Sequence, residues 1–246
     1  MLNSTAIVKE AESVTGLTNL GNPLFIEGFY KLVDSINHEA DLTDMGIQAQ
    51  HHRLMGVLVN MLRLEAEVQQ HPDILDESIR TPVVIVGLPR TGSTMTHRLL
   101  AADPRHTAML WWEGRYPAML PGEQRGNPIE RMSLGKAEVE AVMAASPDAL
   151  SIHPWDYKGA DEEILLLEHT FFSTVPESFM RLPSYSAWVS QQDHEHAYKQ
   201  LKVMLQYLQW QNPGRAEKRW VLKSPHHLGF IDKLLMVFPD AKIIQT

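Results

Sequence analysis

The sequence contains no cysteine. That excludes a disulfide framework, a thiolate nucleophile and any cysteine-ligated metal centre. It also lacks an excess of positive charge: 22 Lys and Arg stand against 30 Asp and Glu, a net −8. A general nucleic-acid binder shows a basic stripe instead, so no nucleic-acid partner is expected, although one local basic pocket can still hold a small anion. No apolar run approaches the ~18 residues of a membrane span. The opening MLNSTAIVKEAESVTG lacks a basic-then-apolar leader pattern. A cytoplasmic protein without a transmembrane segment is therefore expected. No His, Asp or Glu spacing reads as a metal cluster, and no repeat or low-complexity tract occurs. What remains is ordinary globular composition, 44% hydrophobic and 21% charged, in 246 residues.

One further absence is local. The stretch VGLPRTGSTMTHRLL begins at Val86 and nearly spells the phosphate loop GxxxxGK[ST]. Gly87, Gly92 and Thr94 are in place, but Ser93 stands where the lysine belongs. A nucleoside triphosphatase needs that lysine across the β and γ phosphates. A single phosphate with another leaving group fits better.

The surrounding pattern gives the fold. Residues 1–22 read as a loose lead-in. Asn22 and Pro23 have the chemistry of an N-cap and first helical residue, and Phe25, Phe29, Leu32, Val33 and Ile36 recur at helical spacing. A second helix is predicted at about 47–70, ending before Pro72, so residues 1–78 form a helical extension. From residue 79 the pattern becomes α/β. Val83–Val86 is a short, wholly apolar run of the kind found in parallel strands covered on both faces. A helix follows at about 92–102, a strand at 108–112, and helices at 129–145, 161–172 and 193–211. The last stretch reads as a strand at 220–222, a helix opened by Ser224 and Pro225, and a strand from Lys242. That βαβ unit, with the Val83 strand and its helix, predicts a P-loop-like parallel sheet flanked by helices.

In such sheets ligands bind beyond the carboxyl ends of the strands. Arg90 follows the first strand, Glu113 the expected strand at 108–112, and Lys223 the strand at 220–222. Gly92 lets backbone approach an anion. The amides opening the next helix favour negative charge, Ser93 and Thr94 add hydroxyls, and Arg90 adds a planar charged donor.

These residues resemble a known family. VVIVGLPRTGST is similar to the 5′-phosphosulfate loop of sulfotransferases that use 3′-phosphoadenosine 5′-phosphosulfate (PAPS). WVLKSPHHLGFIDKLLMVFPDAKIIQT resembles their second motif, and TGLTNLGNPLF, LEAEVQQHPDIL and IHPWDYKGADEEILLLEHTFF resemble stretches of the bacterial-type members. The resemblance implies an enzyme that transfers a sulfuryl group from PAPS to a hydroxyl or amine of a small-molecule or lipid acceptor, without a metal. Arg90, Thr91, Gly92, Ser93 and Thr94 would hold the phosphosulfate, and Lys223 would stabilise the departing nucleotide. Glu113 lies where protein-tyrosine and heparan sulfotransferases carry a catalytic glutamate. His226 is a rival base, one residue later than the histidine of cytosolic sulfotransferases.

Plainer readings stand beside these. Glu113 can cap a turn or pair with Arg115. His226 and His227 can be simple first-turn residues. Asp161-Glu162-Glu163 looks like a paired-carboxylate site, yet an N-cap and acidic first turn before Ile164 explains it more simply. The rival functions are a P-loop kinase or nucleoside triphosphatase with an unusual loop, and a nucleotide-binding protein without activity. In the family, the last strand leads to an arginine motif and a serine that grip the 3′-phosphate. The sequence stops at Thr246 before them, so a fragment lacking its C-terminal part, poorly soluble and inactive alone, is expected.

Overall fold

A computed structural model describes residues 1–148 and 153–246. In chain order the elements are α1 (Ser4–Thr15), α2 (Pro23–Glu39), α3 (Asp44–Gln70), β1 (Val83–Val86), α4 (Ser93–Ala101), β2 (His106–Thr107) and α5 (Trp111–Arg115). They continue with α6 (Ile129–Ala145), α7 (Ile164–Leu167), α8 (Pro183–Ser190), α9 (Glu195–Gln211), β3 (Arg219–Lys223), α10 (Ile231–Val237) and β4 (Lys242–Gln245). Two compact units result. One comprises Met1–Pro72 with Ile164–Leu201, and the other Asp73–Glu163 with Lys202–Thr246. The helical unit therefore takes in a later segment besides the expected N-terminal extension.

In the helical unit, residues 4–15 are helix rather than the expected loose lead-in. The Asn3 side chain accepts from the Ala6 amide at 2.9 Å, and Gly16, at φ 70°, closes the C-terminus. Only Ile7 and Ala11 are well buried along α1. So narrow a stripe gives little periodic signal. The Asn22 cap and Pro23 hold as predicted, and Phe25, Phe29, Leu32, Val33 and Ile36 are all buried. α3 opens three residues early, at Asp44, because Thr43 caps it.

The α/β unit has one four-stranded sheet in the order β2-β3-β1-β4, with every pairing parallel. β1 lies between β3 and β4 and is buried along its whole length. Register pairs Ile85 with Lys223 and Val86 with Gln245. The loop after β1 and the end of β3 thus share the carboxyl edge. Three predicted elements are corrected. Residues 108–112 do not form a strand: Leu110 makes only an isolated antiparallel bridge to Ala160, and the chain then turns into α5, whose Gly114 amide donates to the Leu110 carbonyl at 3.2 Å. Only His106–Thr107 pairs with β3, and Trp111 opens α5. The helix expected at 161–172 shrinks to α7 and a 3₁₀ turn that ends at Phe171, φ 55°. The helix expected from Pro225 is a 3₁₀ turn to Gly229 followed by α10.

Candidate active site

The loop from Gly87 to Gly92 leaves β1 and turns sharply into α4. Arg90 and Gly92 both have left-handed backbone, φ 73° and 89°. A side chain at Gly87 would strike Thr246 and come within 3.0 Å of the Thr91 hydroxyl. Close backbone approach there requires glycine. The loop is braced from within. Thr91 Oγ1 donates to the Leu88 carbonyl at 2.7 Å and lies 2.9 Å from Thr246 Oγ1, while the Thr246 amide donates to Val86 O at 3.0 Å. No side chain caps α4, and the space beside Gly92 is open. The first amides of α4 are therefore left for an anion or water. Arg90 is exposed at the loop tip. Glycine at the approach, uncapped amides, two hydroxyls and one guanidinium suit a phosphosulfate group.

Lys223 ends β3 and is 2% exposed. Its ammonium donates to Thr94 Oγ1 at 3.3 Å and pairs with the Glu162 carboxylate. The Lys223 amide donates to Glu163 Oε2 at 2.8 Å, and the other oxygen of Glu163 hydrogen-bonds His227 Nε2. Burial pushes the Glu162 carboxyl up, and the Lys223 charge offsets only part of that rise. Burial also acts upward on Glu163, yet the hydrogen bond and charge of His227, with the Lys223 amide, bring it below the ordinary value. His97, on α4, sits with these groups. Its Nε2 donates to the Val221 carbonyl at 3.2 Å. Burial lowers its pKa, with the Glu163 charge opposing.

The structure thus brings Ser93, Thr94 and Lys223 to one edge beside Arg90, Thr91 and Gly92. Glu113 lies elsewhere in contact terms. It is 5% exposed, in the first turn of α5, and its carboxylate accepts the Leu110 amide at 2.8 Å and a guanidinium N–H of Arg215 at 2.9 Å. Arg115, its alternative partner in sequence, pairs with Glu138. The His226 ring is buried against Phe230, with centroids 4.8 Å apart. Asp161 pairs with His153 at 2.7 Å, and Glu162 and Glu163 lie ahead of α7 rather than in its first turn. The simple helix-start reading of those carboxylates is replaced by a charged cluster around Lys223. Glu162, Glu163, His227 and His97 are the residues that sequence reasoning missed as a group. The one available signal was three adjacent acids beside an apolar run.

The sulfotransferase family pattern matches residues 82–246. No curated protein sequence matches the chain. Two solved structures resemble it over 100% of its length, each with a TM-score of 0.84. One is sulfotransferase STF1 from Mycobacterium tuberculosis, 32% identical, and the other sulfotransferase STF9 from Mycobacterium avium, 28% identical. The chain spans 67% and 62% of those two proteins. With the lysine-free phosphate loop and its match to two sulfotransferase structures, the chain belongs to the sulfotransferase family, transferases whose general donor is PAPS.

Proposed function

We propose that this chain transfers a sulfuryl group from PAPS to the hydroxyl or amine of a small-molecule acceptor. When bound, PAPS supplies a sulfuryl group carried on a phosphate leaving group. The opening amides of α4, Arg90, Ser93 and Thr94 hold that anionic end. The Lys223 ammonium, already beside Thr94, meets the negative charge that develops on the departing phosphate. Turning to that charge loosens its pairing with Glu162. The carboxylate, 21% exposed, is then the base that accepts the acceptor's proton. Burial raises its proton affinity toward that task. Glu163 and His227 fix the end of β3 and so aim Lys223. Glu113 is a structural partner of Arg215 in this scheme, and His226 a packing residue.

The observation that carries the proposal is the contact of one buried lysine with Thr94 of the phosphate loop and with Glu162. A kinase reading gains nothing from it, since the loop position that would reach a γ phosphate is Ser93. Transfer of labelled sulfate from PAPS across a panel of alcohols, phenols and amines tests the proposal. Label should appear in at least one acceptor and depend on PAPS. Magnesium-dependent ATP turnover without sulfate transfer would refute it.

A further inference from the structure

The backbone that carries Glu162 is held by its neighbour, Asp161. The Asp161 amide donates to the Met109 carbonyl at 2.9 Å, and its carboxylate Oδ1 accepts the Glu162 amide at 2.7 Å. The other oxygen, Oδ2, accepts from His153 Nε2 at 2.7 Å. The Asp161 side chain is 4% exposed and that of His153 26%. A carboxylate only accepts, so Nε2 carries the imidazole proton in this pair. His153 is itself fixed from behind. Its ring meets Trp155 edge-on, with centroids 5.5 Å apart, and Arg98 of α4 donates to the Pro154 carbonyl at 2.8 Å. A chain of hydrogen bonds thus runs from the anchored segment at 153–155, through a buried carboxylate, to the main chain of Glu162.

The same carboxylate also acts on Glu162 through its charge. Burial is the largest cause of the raised Glu162 carboxyl. Lys223 acts against it, and the negative charges of Asp161 and Glu163 add to the rise. The charged and titratable groups facing Glu162 are therefore Lys223 from β3, and Asp161 and Glu163 from its own segment. His153 stands behind Asp161, His227 stands behind Glu163, and His97 of α4 feels the charges of Glu163, Lys223 and Asp161. Glu163 already has a task, since it accepts the Lys223 amide. Asp161 is the acid whose side chain bonds the Glu162 main chain directly.

We infer that His153 and Asp161 are positioning residues for Glu162: together they fix its main chain and keep a negative charge beside its carboxyl. The inference rests on Glu162 as the base of the proposed transfer, but its first readout is the carboxyl itself and needs no turnover. The Glu162 side-chain carboxyl is followed by carbon-13 NMR as pH is lowered, its signal identified by its loss in Glu162→Gln. Asp161→Asn keeps an oxygen for the Glu162 amide, and its own amide can donate to the other tautomer of His153, so the geometry holds while the charge goes. The Glu162 midpoint should then move to lower pH, because a negative neighbour has been removed. The acid limb of labelled-sulfate transfer should move the same way. His153→Ala frees Asp161 and should lower kcat about tenfold or more, with KM for PAPS unchanged. His153→Gln, whose amide can still donate to Asp161, should recover most of that loss. A purely structural pair would change the folded fraction and leave the midpoint of the folded protein in place. An unmoved midpoint in Asp161→Asn that retains the wild-type spectral dispersion overturns the inference. Should Asp161→Asn not fold, the part-exposed His153 decides alone, and wild-type kcat in His153→Ala overturns it. A shifted midpoint without any sulfate transfer refutes the transfer reading and leaves the positioning of Glu162 standing.

Discussion

Arg90 occupies a backbone conformation that side-chain-bearing residues rarely adopt. Such positions persist where the surrounding structure enforces them, often at ligand clamps. Its guanidinium is the one full positive charge within the loop, and Arg90→Ala should weaken binding of adenosine 3′,5′-bisphosphate by about 1.5–3 kcal/mol. Arg90→Lys should recover only part of that, because the planar fork is lost. Calorimetric titration checks both, and unchanged affinity in the alanine variant would remove the loop from the site. Glu162 gives a second test at this scale. Its carboxyl is raised above 4.5 by burial, and a base must be deprotonated. Activity should therefore fall as pH drops through a value above the ordinary 4.5, and Glu162→Gln should abolish that acid limb. A limb that survives the substitution would assign it to another group. The loop residues were legible because Gly87, Arg90, Gly92 and Thr94 are neighbours in sequence. The pairing of Lys223 with Glu162 was not, because 61 residues separate them and no local spacing records a long-range ion pair.

At the scale of elements, His97 ties α4 to β3. Burial lowers its pKa, so below the ordinary value of 6.5 the unfolded chain binds a proton that the folded chain does not. Stability is present above that value and is lost as pH falls below it. The Gln side chain can still donate to the Val221 carbonyl, so His97→Gln should keep the fold and flatten the dependence in the range just below pH 6.5. Thermal or urea unfolding across that range measures it, and equal slopes in both proteins would remove His97 from the linkage. Glu163, whose pKa is lowered, acts in a separate and more acidic window. The elements themselves were unevenly legible. β1 is an apolar run between Pro82 and Gly87, and β3 and β4 carry short apolar centres, Trp220–Leu222 and Ile243–Ile244, on either side of a Ser-Pro turn and a Pro-Asp break. β2 is two residues long, and no period fits so short a strand. α5 was misread as a strand because its two tryptophans suit either state. What fixes it as a helix is the Gly114 and Tyr116 amides donating to the Leu110 and Trp112 carbonyls, with the Glu113 carboxylate accepting the Leu110 amide.

For the molecule as a whole, a net charge of −8 accompanies a site built for anions. On the proposed function, local geometry rather than global charge recruits the donor: uncapped amides, one exposed arginine and one buried lysine at one edge of a parallel sheet. Among the described residues, no helix is long and apolar enough to cross a membrane. The general architecture followed from sequence because both β–loop–α signals are local. The division into units did not, since residues 164–201 join the helical unit through contacts distant in sequence. The central claim is that Glu162 and Lys223, rather than Glu113, serve the transfer. It is tested most directly by the rate of labelled-sulfate transfer from PAPS in wild type, Glu162→Gln and Glu113→Gln, measured at saturating donor. Glu162→Gln should lose about 10²–10⁴-fold in rate with nucleotide affinity retained. Glu113→Gln should lose stability from its buried pair with Arg215 while its folded fraction turns over like wild type. Wild-type turnover in Glu162→Gln, with the loss falling on Glu113→Gln, would contradict the assignment.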